Sequence, residues 1–443
     1  MTQRYWLERA WLGSGDVLDH VVVEVDDRRF TRVETGVASP PTEAIRLAGL
    51  TIPGLANCHS HACHRALRGR AQRERGTFWT WREQMYSVAE RLDPDLYYDL
   101  ARAAYREMAA SGITSVGEFH YLHHGPDGTP YDEPNVMGAA LSQAAEDAGI
   151  RIALLDTCYL ASGIGARPEG VQRRYSDGDA TRWVERVQRI DRRDGVVTGA
   201  AIHSVRAVPR GQMRYVAEWA DRNGAPLHVH VSEQIAENEA CVAAYAMTPT
   251  EILDEAGALG PRTSAVHATH LTPGDIALLG RSGTHACFCP TTERDLGDGV
   301  GPSRELFTAG SPLTLGSDSH AVIDLFEEMR AVEMNERLVT QQRGHWSAEE
   351  LHVAATTTGH ASIGFGDGGR IEAGGWADLV TVDTDSLRTA GTGPGLQTTA
   401  FAASAADVVQ VVAGGRVVAS RDDHREIGTE LDRAITAVWK GSR

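Results

Sequence analysis

The chain has 443 residues, 42% of them hydrophobic, and 60 acidic against 43 basic side chains give it a net charge of −17. That length and apolar content allow a large barrel plus a smaller accessory domain. The acidic balance, with no Lys/Arg-rich block to offset it, excludes nucleic acid and anionic membranes as partners and leaves a small anionic substrate possible only where local arginines reverse the field.

Residues 1–50 carry short β-like runs such as HVVVEVDD and are predicted to form the N-terminal part of a small β-sandwich domain. The opening MTQRYWLERAWLGSGD has neither the basic start nor the apolar middle of a signal peptide, and no segment is a long uncharged apolar run, so a cytoplasmic location is expected. From 51 to 364 one unit recurs: a short apolar strand, a loop, then an amphipathic helix. The strand candidates are LTIPGLANCH, GITSVGEFH, RIALLDTCYL, VVTGAAIHSV, PLHVHVSE, TSAVHATHL, THACFCP and PLTLGSDSH. Helical patterns such as LDPDLYYDLARAAYREMAASG and DLFEEMRAVEMNERLV separate them. Alternating strands and helices imply a parallel sheet, and eight repeats imply an α/β fold closed as a (β/α)8 TIM-type barrel. The string GFGDGG at 364–369 matches G-x-G-x-x-G by letters, but it follows a helix and precedes a strand-like run, the reverse of a dinucleotide site. Residues 365–443, with ADLVTVD and ADVVQVVAGGRVV, are predicted to be the C-terminal part of the sandwich, since chain ends are often neighbours.

The cysteines Cys58, Cys63, Cys158, Cys241, Cys287 and Cys289 lack the density of a disulfide scaffold. Cys287 and Cys289 form C-x-C, but no second pair completes a metal site, so both read as buried strand residues. The histidines are more informative. His59 and His61 end the first strand as H-x-H, and alternate strand residues point to the same side. In LHVHVSEQ at the end of the fifth strand, His230 lies nearer the barrel mouth than His228, which reads as a deeper interior residue. Glu233 comes three residues later and can face the same place only if the strand has ended. The sixth strand ends with His267 and the eighth with Asp318. Catalytic metals with an open position take three or four nitrogen and oxygen ligands. His59, His61, His230 and Asp318 are therefore expected to hold one divalent metal, zinc first, although iron or manganese accept the same donors.

This pattern resembles the amidohydrolase superfamily, which carries H-x-H on strand one, His on strands five and six, Asp on strand eight, and a split terminal β-sandwich. GAAIHSV on strand four holds no lysine for a bridging carbamate, which disfavours the binuclear members, and H-x-x-E on strand five resembles the mononuclear deaminase branch. Longer strings, among them NCHSHACHRALRGR, GTFWTWREQMY, AIHSVRAVP, CPTTERDLGDGVGP and GSDSHAVIDLFEEMR, resemble the formimidoylglutamate deiminases. That resemblance implies hydrolysis of N-formimidoyl-L-glutamate to N-formyl-L-glutamate and ammonia in histidine breakdown, and a homodimer. Many such relatives carry glutamine where this chain has His64, a change that touches a substrate contact rather than the reaction.

The residues make sense for such a substrate, which has two carboxylates and a cationic formimidoyl group. Arginine's planar fork suits carboxylates, and Arg82 and Arg206 lie just beyond strands one and four; Tyr121, beyond strand two, offers a hydroxyl. The plainer alternatives are a helix-surface charge for Arg82, a rim salt bridge for Arg206 and packing for Tyr121. His203, ending strand four, reads equally as a substrate contact or a satisfied interior histidine. Arg65, Arg68, Arg70, Arg73 and Arg75 read as solvated or structural. In the expected mechanism a metal-activated water attacks the formimidoyl carbon, Asp318 takes its proton, His267 orients it, and Glu233 polarises the imine and protonates the departing nitrogen. Two alternatives stay open: deamination of another amidine or heterocycle in the same branch, and a barrel scaffold without chemistry, which the full ligand set disfavours.

Overall fold

The computed structural model describes residues 3–72 and 78–440; Arg73 and Arg75 of the first loop lie outside the described residues. Eight strands, Leu55–Ser60, Ile113–His120, Arg151–Cys158, Val196–Ile202, Leu227–Val231, Thr263–His267, His285–Phe288 and Leu313–Leu315, lie side by side in chain order. All neighbouring pairs are parallel. Strands covered on both faces are apolar throughout rather than alternating, and Ile113–His120 and Arg151–Cys158 are buried at every position.

The barrel closes where the chain beyond the eighth strand meets the first. A parallel bridge joins Ser60 to Asp318; Asp318 N–H donates to His59 O at 3.0 Å and His61 N–H to Asp318 O at 3.2 Å. Gly316 permits this approach, because a Cβ there would lie 2.7 Å from His59 Cβ and 2.8 Å from His59 O. The closing seam thus brings the H-x-H pair against Asp318.

The outer helices start on the expected signals. Asp93 accepts the Leu96 N–H at 2.8 Å ahead of Pro94 at the start of helix Pro94–Ala110, and Thr272 and Asp275 form a capping box around Pro273.

Strands from both ends of the chain form a second sheet of seven, in the order Arg416–Ser420, Val408–Ala413, Leu379–Val382, Ile45–Pro53, Gln3–Ala10, Leu18–Asp26 and Arg29–Glu34. It wraps its own core, including Tyr5, Leu7, Val23, Phe30, Leu47 and Val412. Ala377 N–H donates to Arg28 O at 2.9 Å and Phe30 N–H to Gly375 O at 3.0 Å, which folds the sheet back into a sandwich. A buried ion pair between Arg151 and Asp378 ties this sheet to the barrel, and the Thr114 hydroxyl also donates to Asp378 at 3.1 Å.

One element departs from the β-like reading of the C-terminal segment. Helix His424–Lys440 buries Ile427, Leu431, Ala434 and Val438 along one stripe. It packs on helix Pro94–Ala110, where Arg106 pairs with Glu426 and Glu430 at 2.8 Å each, and Trp439 Nε1 donates to Ala66 O at 2.9 Å. Among the described residues, no helix is long and apolar enough to cross a membrane.

Candidate active site

The loops leaving the strands aim the functional side chains. The fifth strand stops at Val231, and Ser232, at φ +51°, turns the chain so that Glu233 faces the mouth. His267 at φ +68° and Asp318 at φ +40° also adopt left-handed backbone. Such conformations cost on the order of 1–3 kcal/mol each and persist only where the surroundings over-determine them. Here they hold side chains over one point.

His230 Nε2 lies 3.1 Å from His59 Nε2, and Asp318 Oδ1 lies 3.4 Å from the Nε2 atoms of both His59 and His61. His61 Nδ1 sits 3.0 Å from Phe119 O, and His230 Nδ1 2.9 Å from His203 O. A carbonyl only accepts, so in both rings Nδ1 carries the hydrogen and Nε2 turns its lone pair inward. Burial, then the neighbouring imidazoles, holds His61 and His230 well below the ordinary histidine pKa, so both are neutral near pH 7. Burial opposes a charge on Asp318, but the hydrogen bond to His59 and the nearby His267 outweigh it and push its pKa down to about 2. Converging lone pairs beside a carboxylate repel one another unless a cation sits among them. The donor set fits a divalent ion with nitrogen and oxygen ligands.

A family model described as the Amidohydrolase family matches residues 50–418. This chain belongs to the amidohydrolase family. It is 36% identical over 412 residues to a formimidoylglutamate deiminase of Pseudomonas aeruginosa, covering 89% of this chain and 90% of that protein. It is 28% identical over 404 residues to a 5-methylthioadenosine/S-adenosylhomocysteine deaminase of Pelotomaculum thermopropionicum, covering 88% and 86%. The fold matches the crystal structure of an amidohydrolase from Brucella melitensis with a TM-score of 0.89 and 30% identity, covering 99% of this chain and all of that one. As an amidohydrolase the chain is a metal-binding hydrolase, and the solved relative carries the same barrel.

Beside the amidohydrolase ligand nest, His267 Nε2 lies 3.6 Å from Asp318 Oδ2 and 3.8 Å from Glu233 Oε1. Its Nδ1 is 3.4 Å from Glu293 Oε1, which also accepts the Cys289 N–H at 2.8 Å. Burial works against a charge on His267, but Glu233, Glu293 and Asp318 outweigh it and hold its pKa well above the ordinary value. Glu293 was not singled out in CPTTERDLGDGVGP; nothing local marks it, because its role depends on the strand-six histidine reaching it across the barrel.

Cys287 and Cys289 are both buried. Cys289 Sγ clusters with His267 and Asp318, yet burial holds the thiol pKa well above the ordinary value, so it stays protonated and is a poor ligand. His228 is buried below the nest, with Nε2 3.4 Å from Ser362 O.

One cavity, enclosing about 740 Å³ of empty space including its open mouth, is lined by every predicted site residue except His59, which lies beneath it. His64 Nε2 is 3.0 Å from Tyr121 Oη. His203 stacks edge-on with Tyr159 at 4.7 Å, and burial, then Arg206 and Arg82, depresses its pKa far below the usual value. Arg206 Nε faces the buried Glu237 at 3.8 Å, so a rim ion pair and a cavity wall coexist in one side chain. Burial raises the Glu237 carboxyl to about 7 even beside that guanidinium. In the first loop, Arg65 and Arg68 both pair with Glu107, in keeping with a structural part. The sequence reading did not single out Trp81, Met85, Tyr86, Tyr159 or Tyr175, which complete the wall.

Proposed function

We propose that this chain hydrolyses N-formimidoyl-L-glutamate to N-formyl-L-glutamate and ammonia, a step of histidine breakdown. One observation carries the reading: the acid–base group Glu233, His267 and Asp318 and the two guanidiniums Arg82 and Arg206 open into the same cavity. A substrate with a hydrolysable amidine at one end and carboxylates at the other matches that polarity. The 36% identity to the Pseudomonas deiminase over nearly the whole chain supports it.

His59, His61, His230 and Asp318 are the residues that would hold the metal, with zinc the preferred ion. When bound, a divalent ion supplies the Lewis acidity that lets water act as a nucleophile near neutral pH. Asp318, ionised and at the edge of the nest, takes the proton of the attacking water. His267, held between Asp318, Glu233 and Glu293, orients that water and carries positive charge beside it. Glu233 hydrogen-bonds to the cationic formimidoyl nitrogen, and the proton taken from the water passes by way of Glu233 to that nitrogen. It leaves as ammonia as the hydroxyl of the tetrahedral adduct gives its own proton back to Asp318 and the formyl C=O forms. Arg82 and Arg206 bind the carboxylates, and Tyr121, His64 and His203 complete the contacts.

A second reading, deamination of an adenine-type ring, draws on the aromatic lining and on the adenosine-type relative. It predicts activity on neutral heterocycles with no dependence on Arg82 or Arg206. The test incubates metal-stripped and zinc-restored protein with N-formimidoyl-L-glutamate and identifies the products. Formylglutamate and ammonia, formed after zinc is restored, support the proposal. Glutamate and formamide overturn it, and turnover of adenosine alone selects the second reading.

A further inference from the structure

Behind the cavity wall, Gln172 sits in the short 3-10 helix Gly170–Tyr175 and is 4% exposed. The backbone fixes which way its amide faces. Glu169 N–H donates to Gln172 Oε1 at 3.2 Å, half of a capping box, so Oε1 is committed as an acceptor. The Nε2 group is then left between two tyrosines, 2.9 Å from Tyr86 Oη and 2.9 Å from Tyr159 Oη. An amide NH2 offers two hydrogens and no lone pair, so both phenol oxygens accept from Gln172. Each phenol hydrogen must therefore be donated elsewhere, and among the described residues neither hydroxyl donates to a protein acceptor.

Tyr86 and Tyr159 line the cavity that Arg82 and Arg206 share, whereas Gln172 does not reach it. Arg82 lies over the Tyr86 ring at 5.2 Å. Burial holds the Tyr159 hydroxyl well above the ordinary tyrosine pKa, so it keeps the hydrogen it has to give. This stretch of wall presents two guanidiniums and two O–H donors. A carboxylate, which only accepts, complements it; the corresponding amide, which brings N–H donors, does not.

We infer that Gln172 is a positioning residue for substrate selection, holding the Tyr86 and Tyr159 hydroxyls as donors toward one carboxylate of the substrate. The inference rests on the proposed deimination. Gln172→Glu keeps the shape but replaces the donor with an oxygen that accepts from both hydroxyls and draws them away from the cavity. Steady-state kinetics would compare N-formimidoyl-L-glutamate with two analogues lacking one carboxylate each, N-formimidoyl-L-glutamine and N-formimidoyl-4-aminobutyrate. Gln172→Glu is expected to raise KM for the full substrate by roughly 10- to 100-fold while kcat changes by less than about threefold. It should leave KM unchanged for one of the two analogues. The Tyr86→Phe/Tyr159→Phe variant should do the same, and Gln172→Glu should then add nothing.

A merely structural role would lower kcat on all three compounds together and would persist in the double-Phe background; either result overturns the inference, as does an unchanged KM. If the wild-type protein does not process N-formimidoyl-L-glutamate, the proposed reaction fails separately. Calorimetric titration with glutarate then decides the subsite: binding by the wild type that weakens at least about tenfold in Gln172→Glu supports it, and no binding by the wild type, or no weakening, overturns it.

Discussion

Two buried histidine–aspartate clusters lie in this barrel, and the difference between them is the source of positive charge. His120, His123 and Asp156 bring ligand-capable atoms within 4.8 Å of one another, as the nest at the mouth does. In this second cluster, Arg186 donates to both oxygens of Asp156 at 2.8 Å each and to Asp177 at 2.8 Å, and Trp183 Nε1 donates to Asp156 at 2.9 Å. His123 Nε2 is 2.9 Å from Thr157 O, so that nitrogen carries a hydrogen. The carboxylate is saturated and its charge is met by a guanidinium. At the mouth, among the described residues, no Lys or Arg pairs with Asp318; the positive charge beside it is that of His267, 3.6 Å away, and the Nε2 lone pairs of His61 and His230 turn inward next to it. Proximity of histidine and aspartate is common to both; neutral imidazoles that turn their lone pairs toward one point beside a carboxylate are not, and that is what calls for a metal.

The comparison can be broken by exchanging the roles of the clusters. His230→Ala should release the metal and bring turnover to background, while His123→Ala leaves metal content and turnover unchanged; elemental analysis with the deiminase assay checks both. Glu233→Gln should keep the metal and lower kcat by roughly 10²- to 10⁴-fold, and a fully active variant would remove Glu233 as proton donor. Arg186→Met should cost about 3–5 kcal/mol of stability by stranding buried carboxylates, read by denaturant unfolding, with metal content intact. Arg206→Met should raise KM for a carboxylate-bearing substrate by roughly 10- to 100-fold with a smaller change in kcat.

The smallest effect is in pH. Burial would raise the Asp156 pKa, but Arg186 outweighs it and lowers the value below the ordinary one. The stability this confers is fully present above the unfolded carboxyl pKa of about 3.9 and is lost as pH falls through the lowered folded value. Without Arg186 burial dominates and raises the Asp156 pKa, so the unfolding deficit of Arg186→Met should be largest near about pH 8 and shrink as pH falls through that raised value.

The barrel and its ligand nest were legible because their signals are local and repeated. Apolar runs ending in His61, His230, His267 and Asp318 mark strand ends, and strand ends share one rim. Glu233 needed one more fact, the break at Ser232, which H-x-x-E spacing only implies. Glu293, Glu237 and Gln172 were not readable in that way. Each acts on a residue far along the chain, and neither its type nor its spacing announces the partner. Helix His424–Lys440 did carry a signal, apolar residues at 427, 431, 434 and 438, which the neighbouring β-like runs masked. His120 and His123 show the converse: histidines that meet an aspartate whose charge is already met by Arg186 on a separate helix.

The central claim is tested most directly by counting metal. Purified wild-type protein, His230→Ala and His123→Ala would be stripped with a chelator, re-equilibrated with zinc and analysed for bound ion per chain. The account predicts about one tightly held equivalent in the wild type and in His123→Ala, and none in His230→Ala. Zinc retained by His230→Ala but lost from His123→Ala, or no zinc held by the wild type, would contradict it.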